Sequence, residues 1–463
     1  MRTGRKRSKR EYQELEQFKK INLDAAGIDV GASESWVAVP EGRDPNPVRC
    51  FPSFTADLRK MAEWLKQCGI QTVAMESTGV YWIPIFQVLE SQGIEVKLVN
   101  ARHVKHVPGR KSDIQDCQWL QQLHMYGLLS GSFRPDESIC VLRNYLRQRD
   151  GLVQDASREV LHMHKALTQM NVQIHNVISD VTGKTGMAIL RAILQGERDP
   201  LKLARLKDPR IKSSEEEIAK SLEGDYRAEH LFSLRQALER YDFYHRQMEE
   251  CDREIEAYLN QFPPRDDKPI GPLPERKGSR KNRKRGNAPK FEIRPLLHQI
   301  TGVDLTRIEG INEYSGLMIL SEIGTDVSKF PTEKHFTSYL GLSPDHRISG
   351  GKVLRRSTRS VVNRVAKILR VAALTLKNSS SYLGAYYRRM RNRIGAPKAI
   401  TATARKMACI IYRMLKYGEE YVARNQEYYE QKNQERMINY LKKQASKFGL
   451  NLTPQSAPKG SVS

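Results

Sequence analysis

Between Ile21 and Leu128 the apolar residues switch repeatedly between a period of two and a period near 3.6, which restricts the fold more than any other feature of the chain. LDAAGIDV and SWVAVP read as adjacent strands, FTADLRKMAEWLKQCG as an amphipathic helix and QTVAME as a short strand. WIPIFQVLESQG follows as a helix, IEVKLVN as a strand and DIQDCQWLQQLHMYGLL as a helix. Strands and helices that alternate in this way share a central sheet with helices covering it, because each element has an apolar face to bury. The first strand ends in a carboxylate, Asp29, with no cation within a few residues. Either Asp29 caps a turn, or it waits for a metal ion and for acids from further along the chain.

Three such acids follow. Glu76 ends the second buried strand in VAMESTGVYW, and GRKSDIQDCQWL starts a helix with Asp113 and Asp116 on one face. Taken singly, each has a plainer reading: a turn cap for Asp29, a surface position for Glu76, an N-cap for Asp113 and a favourable first-turn charge for Asp116. Taken together, two strand-end acids and a helical D-x-x-D can converge at one edge of a sheet. Four carboxylates there would repel one another without divalent cations. Hard oxygen ligands of this kind suit Mg²⁺ or Mn²⁺, and two such ions can clamp a phosphodiester.

Beyond this region the period becomes purely helical. Ile139, Leu142, Leu146, Arg149, Val153, Ala156, Val160, Met163, Leu167, Met170, Ile174 and Val177 recur in steps of three and four, with only Arg149 breaking the apolar run. The spacing predicts one helix on the order of 60 Å long. Leu234, Ala237, Tyr241, Tyr244, Met248, Cys251, Ile255 and Tyr258 repeat the rhythm. Two heptad helices predict an antiparallel hairpin or an intermolecular coiled coil, with one flank of a helical bundle as the plainer reading. Residues 263–290 are rich in Pro, Gly, Arg and Lys and predict a flexible basic linker. A mostly helical domain follows, then a polar tail. VTGKTG lacks the first glycine of a phosphate-binding loop, since Ile178 stands there, and predicts no ATPase. His162, His164 and His175 do not share a helix face and are not read as ligands.

Charge indicates the partner. Lys plus Arg number 77 against 53 Asp plus Glu, a net +24, which calls for a polyanion. No apolar run is long enough to span a bilayer, and the basic N-terminus lacks the apolar core of a secretory signal. The six cysteines, at 50, 68, 117, 140, 251 and 409, form no CxxC pair, which fits a reducing compartment and argues against structural zinc. The expectation is a soluble cytoplasmic protein. The excess of charge concentrates late in the chain, because residues 346–416 carry eighteen Lys or Arg and no acid. Arg347, Lys352, Arg355, Arg356, Arg359, Arg364, Lys367, Arg388, Arg389, Arg391, Arg393, Lys398 and Arg405 are the candidate nucleic-acid contacts. Tyr386 and Tyr387 stand beside them for stacking. Within GLSPDHRISGGKVLRRSTRS, Gly350 and Gly351 leave Ser349 on a flexible, exposed backbone among cations; Ser343 and Ser357 are the alternatives. IEGINEYSGLMILSEIG resembles a helix-hairpin-helix turn with Asn312 in the place of the second glycine, and a plain helical corner is an equal reading.

The order of the acids resembles the RuvC-like branch of the RNase H fold. GIDVG, MESTGVYW and KSDIQDCQWL are similar to the DEDD transposases of insertion-sequence family one-ten, and the stretch from LTRIEGINEYSG to VAKILRVAAL is similar to that family's second domain. The resemblance covers roughly residues 23–130 and 300–420. It implies an α/β RNase H/RuvC-like domain over 21–135, a long helical coiled-coil region over 136–262, and a mostly α-helical transposase domain over 291–425. A basic tail (1–20), the linker (263–290) and a polar tail (426–463) complete the chain. By the same resemblance Asp29, Glu76, Asp113 and Asp116 hold Mg²⁺ or Mn²⁺, and Ser349 is the nucleophile. The partners implied are donor and target double-stranded DNA and a structured non-coding guide RNA. A homo-oligomer, a dimer of dimers, would bring one protomer's acids to another's serine. The setting implied is a prokaryotic cytoplasm, at the nucleoid. Two other classes stand beside this recombinase: a RuvC-like structure-selective nuclease that uses water as nucleophile, and a non-catalytic architectural protein that tolerates loss of the acids.

Overall fold

The computed structural model describes residues 19–77, 79–100, 113–265, 271–273, 287–359, 362–418 and 426–452. The chain divides into two compact units after Arg134.

The first unit is built on five strands: β1 (Ala25–Val30), β2 (Glu34–Ala38), β3 (Val48–Pro52), β4 (Thr72–Glu76) and β5 (Glu95–Val99). Their order is β3-β2-β1-β4-β5. β1 pairs antiparallel with β2, as does β2 with β3, while β4 runs parallel to both β1 and β5. Two helices, α1 (Thr55–Gln67) and α2 (Trp82–Ser91), cover one face, where Leu58, Met61, Leu65, Ile85 and Leu89 pack against Ile28, Val30, Val37 and Met75. The other face receives α3 (Asp113–Met125). There Met125 and Tyr126 pack on Ala25, and Leu120 on Ala74 and Val99. Strand alternation therefore turns Ala25, Gly27 and Asp29 toward α3. β3 was not apparent in the sequence: it is half-buried at the sheet edge, with an arginine inside and a proline at its end, and such strands lack an apolar signature.

At Gly27 the backbone of α3 meets the sheet directly. A Cβ on Gly27 would fall 2.3 Å from the Cys117 carbonyl oxygen and 2.3 Å from the Gln121 nitrogen. Further along the same helix, His124 is 2% exposed, with Nε2 2.9 Å from Thr72 Oγ1 and Nδ1 buried without a partner. Burial, reinforced by Lys97, pushes its pKa down to about 4. The folded chain thus holds a neutral imidazole that the unfolded chain would protonate near 6.5. This contribution is fully present above that pH and is lost as pH falls toward 4, amounting to about 3 kcal/mol for the whole shift. Urea titrations at pH 7 and pH 4.5 are expected to show this acid loss in the native chain and a smaller one in His124→Gln. Equal losses in the two proteins would contradict the assignment.

In the second unit, α4 (Glu137–Gln169) leads through α5 (Lys184–Leu194), α6 (Pro200–Ala204) and α7 (Glu215–Ser221) to α8 (Ala228–Leu259). α8 returns antiparallel along α4. Leu142 and Leu146 join Ile255 and Leu259, Leu152 and Ala156 join Met248, and Met163 and Leu167 join Leu234 and Ala237. The two heptad helices pair within one chain, as the hairpin reading expects. The first is shorter than its apolar pattern. It stops at Gln169, Asn171 takes φ +56, and Ile174–Asn176 form a separate 3₁₀ turn, so the helix is about 50 Å long. Arg149, the one charge in that pattern, is 1% exposed and is held by Asp252 on α8, with Nε 2.5 Å from Oδ1. Its guanidinium also donates to the Asn287 carbonyl and lies 5.1 Å from the Tyr314 ring. A buried pair of this kind adds little over an apolar pair, but losing one partner strands a charge at about 3–5 kcal/mol.

The chain continues through α9 (Ile293–Thr301), α10 (Glu313–Ile323), α11 (Glu333–Tyr339), the hairpin β6 (Pro344–Ser349) and β7 (Lys352–Thr358), α12 (Arg364–Thr375), α13 (Tyr382–Ile394), α14 (Ala396–Tyr417) and α15 (Gln426–Lys447). The segment read as a flexible linker is anchored at both described ends. Arg265 donates to the Thr301 and Leu415 carbonyls, and the Lys290 ammonium bonds Glu249. Among the described residues no helix is long and apolar enough to cross a membrane.

Candidate active site

The acids of the first unit are placed by the register of two parallel strands and by the direction of one helix. β1 and β4 pair up to Ile28 with Met75, and the next residue on each strand is an acid, Asp29 and Glu76. Both stand two residues beyond one that faces α3, Gly27 on β1 and Ala74 on β4, so strand alternation directs them to the same side. α3 runs opposite to β1, with Met125 against Ala25 and Cys117 against Gly27, so its first turn, with Asp113 and Asp116, lies toward the Asp29 end. The electrostatics agree. The Cys117 thiol is pushed up to about 12, first by burial and then by the negative charges of Asp29 and Asp116.

A fifth carboxylate is nearby. The Cys50 thiol is raised by burial, by a hydrogen bond with Glu34 and by the Asp113 charge. Trp36 links the two sides, pairing with Asp29 across one ladder and with Cys50 across the other. Glu34 shares the face of Trp36, a relation legible in the alternation of ESWVA. The carboxylates gather at one edge without closing into a coordination shell: among the described residues no three His, Cys, Asp or Glu side chains could together hold an ion. The donor chemistry fits a hard divalent cation, since all four predicted ligands are carboxylates and two of them raise a thiol beside them.

In the second unit Ser349 is the last residue of β6 and pairs with Lys352, the first of β7. Gly350 and Gly351 make the two-residue turn with φ of +54 and +75, a reversal with left-handed backbone at both central positions. The expected flexible loop is therefore a β-hairpin. A Gly-Gly pair permits loose backbone in isolation, but between two residues that can ladder it forms a tight turn. Ser349 is exposed on this hairpin. The alternatives are less accessible: Ser343 Oγ lies 2.9 Å from Thr337 Oγ1, and Ser357 Oγ is buried.

The predicted cations differ in availability. Lys352, Arg359, Lys367, Arg389, Arg391, Arg393 and Lys398 are exposed, and Arg405 is half-buried. Arg364 is bound internally, 3.2 Å from Asp150, and Arg388 donates to the Ser379 carbonyl at 2.6 Å. The side chains of Arg347, Arg355 and Arg356 lie outside the described residues. Tyr387 is 2% exposed and belongs to the core, which removes it as a stacking platform. Tyr386 is half-buried, with the Lys406 ammonium 4.7 Å from its ring. Asn312 is not left-handed. Its φ is −96, and its side chain accepts from the Ser315 N–H at 2.7 Å as the N-cap of α10. The positive φ falls on Gly310 instead, packed so closely on α12 that a Cβ would meet the Ala372 carbonyl at 2.8 Å.

A mixed sheet in the order 3-2-1-4-5, with acids at the ends of its central strands and on the helix crossing them, fits an RNase H-like domain of the DEDD type, a class that works on nucleic acid with divalent metal. Residues 26–172 match the DEDD model of the IS110 transposases, described as Transposase, and residues 303–388 match the model described as Transposase IS116/IS110/IS902 family. The chain belongs to the IS110 family of transposases, and is an enzyme of DNA transposition. No curated protein matches it.

Proposed function

We propose that this transposase is an RNA-guided DNA recombinase that cuts and rejoins strands through a phosphoserine intermediate on Ser349. The observation that carries the reading is the setting of that serine, alone among the three candidates in being exposed, at a tight turn and opposite Lys352. A serine hydroxyl is a weak nucleophile until a base, a metal or a cationic field activates it. In the proposed step Oγ forms a bond to a DNA phosphorus, the P–O bond to one deoxyribose breaks, and the departing oxygen leaves as a hydroxyl with the proton lost from Oγ. Attack by the hydroxyl of another strand reverses these bonds and frees the serine, so joining requires no nucleotide hydrolysis. The exposed cations of α12 to α14 hold the phosphates on either side.

Asp29, Glu76, Asp113 and Asp116 would hold Mg²⁺ or Mn²⁺, which supplies charge neutralisation at the scissile phosphate. Family resemblance supports a homo-oligomer, a dimer of dimers, in which the acids of one protomer serve the serine of another. It also supports a structured guide RNA that pairs with donor and target DNA, leaving the protein to read RNA shape and backbone. The basic excess suits both nucleic acids. Recombination by the full chain is expected to require RNA transcribed from the element's flanks, and to move to a new site when the pairing segment of that RNA is rewritten. Recombination that ignores the RNA would contradict guidance. Cleavage leaving free 5′-phosphates and no protein adduct would favour a nuclease that uses water.

A further inference from the structure

The β6–β7 hairpin carries apolar side chains where a solvated ribbon would carry polar ones. Ile348 is 62% exposed, Val353 41% and Leu354 70%. They are concentrated at one level of the ladder. Ile348 pairs with Val353, but the neighbouring pair is Arg347 with Arg355, so Leu354 is an extra residue and two positions of β7 oppose one of β6. Bulges of this kind near functional sites re-aim a side chain. The crowded level is one step from the Ser349–Lys352 pair, and beyond that pair stand only Gly350 and Gly351. With no side chains at the turn, the end of the ribbon is narrow.

We propose that this hairpin is a wedge, in which Ile348, Val353 and Leu354 press between base pairs of duplex DNA beside the phosphate offered to Ser349. The proposal rests on the reading that Ser349 attacks DNA, and it names how the duplex is opened for that attack. A two-stranded ribbon fits a DNA groove, and apolar wedges partially unstack a step and kink the helix for a few kcal/mol. Charge favours this occupant over an apolar protein surface. Lys352 stands opposite the serine, Arg359 is exposed just past β7, and residues 346–416 contain no acid. Kinking at the wedge would turn the adjacent phosphate outward, toward the hydroxyl.

Unwinding of closed-circular plasmid tests this without knowledge of the target sequence. The full chain carrying Ser349→Ala, so that no strand is cut, is bound to plasmid, the plasmid is relaxed by a topoisomerase, and the protein is removed. Wedging leaves negative supercoils behind. Adding Ile348→Ser, Val353→Ser and Leu354→Ser is expected to reduce the linking-number change at least threefold, while plasmid affinity, set by phosphate contacts, changes by no more than about twofold. All three side chains are exposed, and retained thermal melting will show that the variant is folded. Undiminished unwinding by that variant overturns the wedge. So does a Ser349→Ala parent that binds plasmid and leaves it fully relaxed, or one that binds structured RNA and not the plasmid. The nucleophile is assayed separately, by a covalent adduct that needs Ser349, so the wedge and the phosphoserine can fail independently.

Discussion

Asn in place of Asp29 is expected to reduce strand transfer on the order of a thousandfold while leaving the fold intact. The substitution preserves shape and removes one negative charge from a group that includes Glu76 and the first turn of α3. If these carboxylates hold the cation, the loss of one ligand removes several kcal/mol of charge stabilisation at the phosphate. A second readout separates ligand loss from misfolding. An ion that binds only the folded chain raises its stability by about 2.7 kcal/mol at a hundredfold excess over Kd. Addition of Mg²⁺ is therefore expected to raise the melting temperature of the native chain and to leave that of Asp29→Asn unmoved. The cation would answer a negative potential set up by the carboxylates at this edge. The potential is already visible in the Cys117 thiol, raised by burial and by Asp29 and Asp116. An Asp29→Asn protein that responds to Mg²⁺ as the native chain does would remove Asp29 from the site.

Gly27→Ala should be nearly as damaging, and for a reason that has nothing to do with charge. Its Cβ would sit 2.3 Å from two backbone atoms of α3, and backbone cannot rotate out of the way as the end of a long side chain can. The helix must move by about 1 Å, at a cost in stability of roughly 1–3 kcal/mol or more. That movement carries Asp113 and Asp116 away from Asp29 and Glu76. A misplacement of about 1 Å at a reacting centre can cost on the order of a hundredfold in rate. Gly151 is the control. It lies within α4 with nothing within 4 Å of an added Cβ, so Gly151→Ala is expected to be neutral or stabilising by up to about 1 kcal/mol. Chemical denaturation and strand transfer, measured on both variants, decide the matter. Equal behaviour of the two would show that α3 tolerates displacement and that its contact with the sheet does not align the acids.

Gly27 also illustrates how far residues alone can be read. The alternation around AAGIDV located a buried strand and assigned Asp29 to its end, because a period of two survives whatever packs on the sheet. Why the residue two places earlier must be glycine could not be read, since the requirement comes from a helix that begins 86 residues later. β3 was missed because edge strands are allowed the arginine and prolines that disqualify central ones. The heptads of α4 and α8 were legible, and so was the oddity of Arg149, yet its partner Asp252 was not, because a buried ion pair depends on how the two helices register. Ser349 was found by its neighbours. Its hairpin was not, since Gly-Gly is equally a mark of looseness and of a tight reversal. Proximity to a basic run suggests a stacking role for Tyr387, but its position on α13 turns it inward.

The central claim is that Ser349 becomes covalently joined to DNA. The most direct measurement uses purified full chain with its co-expressed flanking RNA, Mg²⁺ and end-labelled donor DNA, denatured and resolved to detect label that travels with protein. The account predicts a labelled adduct in the native chain and none in Ser349→Ala, with Ser343→Ala and Ser357→Ala retaining it. DNA cleaved by Ser349→Ala at the native rate, with no adduct in any protein, would contradict it.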